Sequence, residues 1–396
     1  MNVAWLCNYP LENLEKIPAK VRGKKGHSST WIVNLSRALV KFCPDINLHI
    51  VTESTHISKT VCLDHDGIHF HVIRSASSVP FLLRGYPGFL PLDVLTRFEL
   101  NKRRLLPVLD DIGPDLVHSH GTESTYSLTA VSSGYPHLVS LQGIISELFQ
   151  VNRNLRYRVV RKLEEETIKR GHYFVAKTKF AAEFIRSINA RSVVFRIENA
   201  MSEIFFSVKR RQTIGRTILY VGSIIKEKGI EDLLDSLSGV GECQLMVIGR
   251  GKPHYIRYLE QKAERLGIRQ RITWLGARTS EEIAARLSDV SLLVLPSHME
   301  NSPNVVSEAM CVGVPVVATN VGGIPDLIQD GGNGILVPPN NSMALAKAIG
   351  HLLDNPAKAV TMGELGRLEA QKRFSPQRAA NKTMQAYREI MKMSNE

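Results

Sequence analysis

The chain has no uninterrupted apolar stretch approaching the roughly 20 residues that a helix needs to span a bilayer. Its opening, "MNVAWLCNYPLENLEK", lacks a basic first region and meets acids early, so it reads as a first strand over residues 2–7 and not as a signal peptide. The five cysteines, Cys7, Cys43, Cys62, Cys243 and Cys311, show neither CxxC nor Cys/His ligand spacing. Most fall in apolar or strand-like segments, which points to buried free thiols and a reducing cytoplasm, and away from disulfides or zinc. No RRM, helix-turn-helix or zinc-finger spelling occurs, so nucleic acid is not an expected partner. Short-period repeats and low-complexity tracts are absent too.

What the chain does have is length and positive charge. A chain of 396 residues exceeds the usual reach of one hydrophobic core, so two domains are expected. The net charge of +12 calls for an anionic partner, and phosphate-bearing substrates and anionic membranes both qualify. The apolar fraction of 43% is that of an ordinary globular protein.

Short β-rich runs alternate with helical patterns from residue 2 to about 200. "INLHIVT", "HFHVIR", "DLVHSH", "HLVSL", "YFVAK" and "VVFRI" read as strands, with helices expected at about 94–112, 155–170 and 179–187. The rhythm restarts at 217 with "TILYVGS", "QLMVIG", "RITWLG" and "VSLLVLPS", separated by helices from 229, at 253–267 and at 280–288. Such alternation predicts an α/β chain of two doubly wound domains with parallel sheets, whose ligands bind at the carboxyl ends of the strands. The division is expected at 1–205 and 206–375, with the polar stretch 206–216, "FSVKRRQTIGR", as linker. A last helix over 376–396 opens with Ser-Pro and carries an apolar stripe of Ala380, Met384, Tyr387 and Met391.

Strand-end loops are therefore where binding chemistry is expected. Gly23 and Gly26 precede an amphipathic helix, an arrangement that suits close approach to an anion or simply a flexible loop. His120 and Gly121 end one strand, and Gln142 and Gly143 another. Gly222 and Ser223 end a third, followed by Lys226 and Lys228 at a helix start that suits a diphosphate; Arg250 lies in the next glycine turn. The stretch "HMENSPNVVSEAM" then separates Glu300 from Glu308 by seven residues. An acid in the first turn of a helix is one reading of Glu308, and a pair of carboxylates gripping hydroxyls around a bound anion is the other.

The stretch "LLVLPSHMENSPNVVSEAMCVGVPVVATNVGGIPDLIQDGGNGILVPPNN" resembles the donor-binding signature of the retaining glycosyltransferases of family four, and its paired acids match that family's Glu–seven–Glu motif. The resemblance covers nearly the whole chain and is most specific over 217–340. It implies the GT-B fold: two Rossmann-like domains facing a cleft, with the C-terminal helix crossing back to the N-terminal domain. A nucleoside-diphosphate sugar would sit mainly in the second domain and an acceptor mainly in the first. By the resemblance Glu300 binds hydroxyls of the transferred sugar, Glu308 the ribose hydroxyls, and Lys228 the leaving diphosphate. Pro303 has no amide hydrogen to offer, which leaves Asn304 and Val305 as phosphate or sugar contacts. His120 matches the N-domain histidine that approaches the donor sugar, and Gly23 and Gly26 fall in the family's first loop beside the phosphates.

Two positions depart from the family pattern. Ser223 stands where an arginine is usual, so one phosphate-clamping cation is missing unless Lys226 or Arg250 takes its place, and Gln142 stands where a histidine is frequent. "DHD" at 64–66 copies the Asp-x-Asp spelling of metal-dependent transferases but precedes a strand in the first half, as a surface turn would. No cofactor or metal is expected. Residues 79–104 and 153–170 combine apolar side chains with Arg84, Arg97, Lys102, Arg103, Arg104, Arg153, Arg156, Arg158, Arg161 and Lys162. They form either core with a solvated basic face or a rim that sits on an anionic membrane, presenting a saccharide or lipid-linked saccharide acceptor. The expected place is the cytoplasm, peripheral on the inner face of the cell membrane. The expected function is sugar transfer with retained configuration in surface-polysaccharide assembly (lipopolysaccharide, O-antigen or exopolysaccharide). A nucleotide-sugar epimerase of the same fold and a non-catalytic nucleotide-sugar-binding protein are the alternatives.

Overall fold

A computed structural model describes the chain except for residues 15, 16, 18–29, 76–78, 84, 85, 91, 152–154, 212–214 and 396. The chain divides into two compact units. The first takes Met1–Lys25, Ile32–Glu198 and Ala379–Glu396; the second takes Gly26–Trp31 and Asn199–Arg378.

The first unit is built on an eight-stranded sheet of β1 (Asn2–Leu6), β2 (Asn47–Ser54), β3 (Val61–His65), β4 (Ile68–Arg74), β7 (Leu116–His120), β8 (His137–Ser140), β9 (Tyr173–Ala176) and β10 (Val193–Arg196). Their order is β10-β9-β8-β7-β1-β2-β4-β3, and β3 alone runs antiparallel to its neighbour. A separate hairpin pairs β5 (Val79–Leu83) with β6 (Tyr86–Leu90). The second unit holds β11 (Thr217–Val221), β12 (Gln244–Ile248), β13 (Ile272–Gly276), β14 (Leu292–Leu295), β15 (Val316–Thr319) and β16 (Gly334–Val337), all parallel, in the order β13-β12-β11-β14-β15-β16.

Burial on both faces explains the apolar strand runs. Ile218 and Tyr220 of β11 point into one core and Leu219 and Val221 into another; Leu292 and Val294 of β14 divide from Leu293 and Leu295 in the same way. Helices cover each face, as a parallel sheet requires because neither side can be left to water. Local signals set several helix starts. The Thr178 side chain accepts from Ala181 N, and Thr279 with Glu282 closes a capping box before Ser280–Ser288.

The C-terminal helix Pro376–Asn395 packs on the first unit. Its stripe residues Ala380, Met384 and Tyr387 are buried, and Trp5 Nε1 donates to Tyr387 Oη over 2.8 Å.

Three expectations need correction. Residues 206–211 are no free linker: Arg367 donates to the carbonyls of Phe206 and Val208, Arg210 to those of Gly313 and Ser291, and Arg211 N to Ser288 O. With Met201 and Phe205 in its core, the second unit begins at Asn199. The helix expected over 94–112 is two, Leu92–Leu95 and Glu99–Ile112, because Arg97 and Phe98 take positive φ and Phe98 is buried. "DHD" is not wholly a turn, since Asp64 and His65 lie in β3 and only Asp66, with Gly67, turns the chain. All five cysteines are free thiols; Cys62 is exposed and the others buried. Among the described residues no helix is long and apolar enough to cross a membrane.

Candidate functional site

In the second sheet the winding direction reverses between β11 and β14, and in open α/β sheets such a switch point is where ligands bind, at the strands' carboxyl ends. β11 leads into Gly222, whose amide donates to Ile248 O (3.0 Å), and Ile224 N donates to Arg250 O (2.7 Å). The two glycine loops thus run side by side. Gly249 allows it, because a Cβ there would overlap the Gly222 carbonyl. Ser223, Lys226 and Arg250 are all exposed along these loops.

A short turn, Lys226–Lys228, follows and ends at Gly229, φ +65. A side chain at Gly229 would overlap Pro296 O, so glycine lets the lysine turn press against the end of β14. Lys228 Nζ then lies 2.5 Å from Glu300 Oε1, and Ser297 Oγ donates to the same oxygen from 2.8 Å. Thr319 Oγ1 in turn donates to Ser297 O. The Glu300 side chain is 9% exposed and that of Lys228 27%, so the pair is partly desolvated but still open to a ligand. The Glu300 backbone is fixed as well. Gly323 N donates to its carbonyl (3.2 Å), and any side chain at Gly322 would overlap that carbonyl.

Glu308 lies on the helix Asn304–Val312, whose first turn holds no acid. It falls in the second turn and is 2% exposed, so a dipole-stabilising surface acid does not describe it. Its charge and burial together push the Cys311 thiol well above its ordinary pKa, burial being the larger cause. The Asn304 side chain accepts from Asn199 Nδ2 (2.7 Å), which leaves the backbone amides of Asn304 and Val305 to open the helix. Helix starts of this kind favour anions.

The first sheet has its own switch point, between β1 and β7. His120 stands at the end of β7, its ring 4.4 Å from that of Trp5 and 4.0 Å from that of His118. His118 is tied at both nitrogens, Nδ1 to Tyr387 Oη (2.7 Å) and Nε2 to Ser140 Oγ (2.8 Å). Tyr387 Oη already accepts from Trp5, so its hydrogen goes to His118 Nδ1 and the His118 proton sits on Nε2. Burial lowers the His118 pKa to about 3, and burial with the His118 and Lys177 charges puts His120 well below 6.5. Both rings are neutral at physiological pH.

The structure therefore joins Lys228 to Glu300 and the Gly222–Ser223 loop to the Arg250 loop, with Glu308, Asn304 and Val305 on the helix after β14. His120 belongs to the first unit. Gly23 and Gly26 lie outside the described residues. Sequence reading missed Ser297, Thr319, Gly322 and Asn199. The role of Gly322 in the "VGG" after β15 depends on a backbone 22 residues upstream at Glu300. Asp64 and Asp66 bond His69 and Arg37 in the first unit's edge hairpin. The basic stretches also carry their own acids: Arg97 pairs with Glu166, Arg103 with Glu99, Arg156 with Asp93 and Arg161 with Glu165.

Comparison with known proteins shows what this arrangement is similar to. The family described as "Glycosyl transferases group 1" matches over residues 202–369, the span that contains Lys228, Glu300 and Glu308. An uncharacterized glycosyltransferase of Methanocaldococcus jannaschii is 26% identical over 361 residues, covering 89% of this chain and 92% of that one. Other curated relatives align over 44 to 48% of either chain. The sucrose-phosphate synthase of Thermosynechococcus elongatus superposes with a TM-score of 0.81 at 20% identity, over 99% of both chains. The Anabaena protein HepE, in complex with UDP-glucose, superposes at 0.71 and 17% identity, over 98% of this chain and 100% of that one. With two Rossmann-like sheets and these likenesses, the chain has the GT-B fold.

Proposed function

We propose that the protein is a retaining glycosyltransferase that moves a sugar from a nucleoside-diphosphate sugar to an acceptor hydroxyl. The Lys228–Glu300 pair at the second sheet's switch point carries this reading. A cation stands there beside a carboxylate, as breaking a sugar–phosphate bond requires. In the reaction the bond between the anomeric carbon and the phosphate oxygen breaks, and its electron pair leaves with the diphosphate. Lys228 and the amides of Asn304 and Val305 stabilise that charge. The acceptor oxygen bonds to the same face of the sugar, and its proton passes to the departing phosphate. Glu300 holds sugar hydroxyls and Glu308 the ribose diol, since an ionised carboxylate accepts from two adjacent hydroxyls. His120, neutral, serves as a hydrogen-bonding group for the sugar. No divalent ion is needed in this scheme, because Lys228, with Lys226 or Arg250, neutralises the diphosphate.

The acceptor proposed is a saccharide or lipid-linked saccharide of surface-polysaccharide assembly, reached from the inner face of the cell membrane. Support comes from the first unit's exposed Leu95 on one of the two basic stretches and from exposed Leu155, Arg158 and Lys162 on the other. Vesicle co-sedimentation at low and high salt checks the membrane half: binding is expected to prefer anionic vesicles and to weaken with salt.

The direct test incubates purified protein with a panel of nucleotide sugars and saccharide acceptors, with chelator or with added magnesium. Transfer with retained anomeric configuration in chelator is the expected result. An epimerised donor would mark the epimerase alternative, binding without turnover a carrier, and activity restored only by magnesium would overturn the metal-free scheme.

A further inference from the structure

The loop after β14 and the lysine turn are held together by more than the Lys228–Glu300 pair. His298, two residues before Glu300, bonds the stretch around Lys228 at two points. Its backbone N donates to Glu227 O over 2.9 Å, immediately before the lysine. Its ring Nε2 lies 2.6 Å from Asp232 Oδ2, four residues beyond the lysine. An ionised carboxylate only accepts, so the hydrogen of that bond is carried by Nε2. Between the two points, a Cβ on Gly229 would overlap Pro296 O and stand 3.4 Å from His298 Cδ2. Residues 296–298 thus grip the chain on both sides of Lys228, and the lysine side chain continues to Glu300.

The acids of the helix Ile230–Leu237 divide their work. Glu231 accepts from Tyr255 Oη and Tyr258 Oη, both over 2.9 Å, and Asp235 from Lys262 Nζ over 2.7 Å. These bonds tie the helix to its neighbour Pro253–Arg265. Asp232 turns instead to the loop after β14. The helix does not need that bond to stay in place, because Ile230, Leu233, Leu234 and Leu237 are fully buried in the core. What His298 and Asp232 add is the register of one loop against another. Their side chains are 27% and 23% exposed, so the bond is partly withdrawn from water, where a hydrogen bond to a carboxylate is strengthened.

An ammonium shared between Glu300 and a diphosphate has to loosen its hold on the carboxylate when the donor arrives. The Lys228–Glu300 pair then no longer sets its own spacing. The two His298 bonds involve neither of those side chains and persist. We propose that His298 and Asp232 are positioning residues of sugar transfer, which hold the lysine turn against the Glu300 loop and so fix where the Lys228 ammonium stands as the diphosphate leaves. Their effect is exercised through Lys228 and Glu300. Such spacing matters, because a catalytic group displaced by about 1 Å can cost on the order of 10²-fold in rate. This rests on the reading of Lys228 as the cation that meets the donor's diphosphate.

The test measures nucleoside-diphosphate release by the full chain from UDP-glucose, ADP-glucose and GDP-mannose, with saccharides or water as acceptor, and carries the best donor into steady-state kinetics. His298→Ala and Asp232→Ala are each expected to lower kcat by about tenfold or more, with donor KM changed by less than about threefold and the melting temperature by only a few degrees. His298→Gln, whose amide nitrogen reaches about as far as Nε2, should recover most of kcat. His298→Asn, whose amide is too short, should not, and this contrast decides the matter even where the alanine variants fold poorly. The double alanine variant should lose no more than either single one, because both residues act through one bond. A kcat within about twofold of wild type in His298→Ala, equal rates in the Gln and Asn variants, or single losses that multiply in the double variant would each overturn the positioning role. Release from none of the three donors by wild type would instead overturn the transfer reading, and the positioning role with it.

Discussion

Lys228 Nζ stands 2.5 Å from Glu300 Oε1, and Ser297 Oγ donates to that same oxygen. One carboxylate oxygen is therefore committed to the protein, and on the proposed reading Glu300 Oε2 is the atom that meets a sugar hydroxyl. On the same reading the lysine is shared between this carboxylate and the donor's phosphate.

Replacing either partner should reach the chemical step. Lys228→Ala is expected to lower kcat by about 10²-fold or more, the scale of a lost transition-state cation. Glu300→Ala should lower kcat with a smaller change in donor affinity. Because the groups touch, the double variant should lose less than the product of the single losses. Steady-state kinetics and donor titration of all three variants check this.

Glu308→Ala should act on binding. Its carboxylate is buried in the second turn of Asn304–Val312, away from the Lys228 pair's bonds, and the proposal gives it the remote ribose. Nucleoside-diphosphate affinity is expected to fall about tenfold, the equivalent of one charge-assisted hydrogen bond. Equal affinity for UDP in wild type and variant would remove Glu308 from the site.

Gly322→Ala carries a backbone prediction. The residue takes φ +51, and a Cβ would overlap the Glu300 carbonyl. Glu300 must move, so kcat should fall much as in Glu300→Ala while the melting temperature drops by only a few degrees. Parallel kinetics and thermal melts separate these two readouts.

Tyr387→Phe removes the hydroxyl that links Trp5 Nε1 to His118 Nδ1 in a fully buried place. Two polar atoms lose their partner, so a cost of about 2–6 kcal/mol is expected at roughly 1–3 kcal/mol per buried group. Denaturant unfolding measures it. Loss of less than about 0.5 kcal/mol would mean that the C-terminal helix docks by its apolar stripe alone.

A histidine cluster should make stability pH-dependent. His49 Nδ1 and His71 Nε2 lie 3.1 Å apart, and His69 stacks on His49. Burial, then the charges of His69 and His71, lowers the His49 pKa from 6.5 to about 4; His71 is lowered by burial and by His69. The unfolded chain binds these protons first, so the stabilisation is complete above about pH 6.5 and lost as pH falls toward 4. Glu53 acts oppositely, since burial raises its pKa from 4.5 to about 7 and favours the folded state on acidification. The comparison of wild type with His49→Gln isolates the cluster: the variant should lose less stability between pH 7 and pH 5 in denaturant titrations.

Much of the scaffold is written locally. Runs such as "TILYV" and "LLVL" are apolar at every position because both sheet faces are covered, and their termini locate the glycine loops that carry Gly222 and His120. The acid pair Glu300 and Glu308 and the turn lysine Lys228 were legible for the same reason: in a parallel α/β unit, strand ends are where loops converge. The helix break at Phe98 was not, because a buried aromatic overrode a continuous helical pattern. Nor was the attachment of 206–211, whose charged spelling reads as linker until the carbonyls it presents to Arg367 are seen.

The sequence by itself determined two parallel α/β units, the strand ends that carry polar residues, and a resemblance to the group 1 glycosyl transferases that is strongest in the second unit. Only the tertiary structure decided that Lys228 meets Glu300 rather than solvent, that Glu308 is buried instead of capping a helix, and that Tyr387 bonds Trp5 across 382 positions. Periodicity and turn chemistry act over a few residues and survive in the linear pattern. Hydrogen bonds and desolvation act between atoms that folding brings together, and they leave no spacing in the sequence from which to read them.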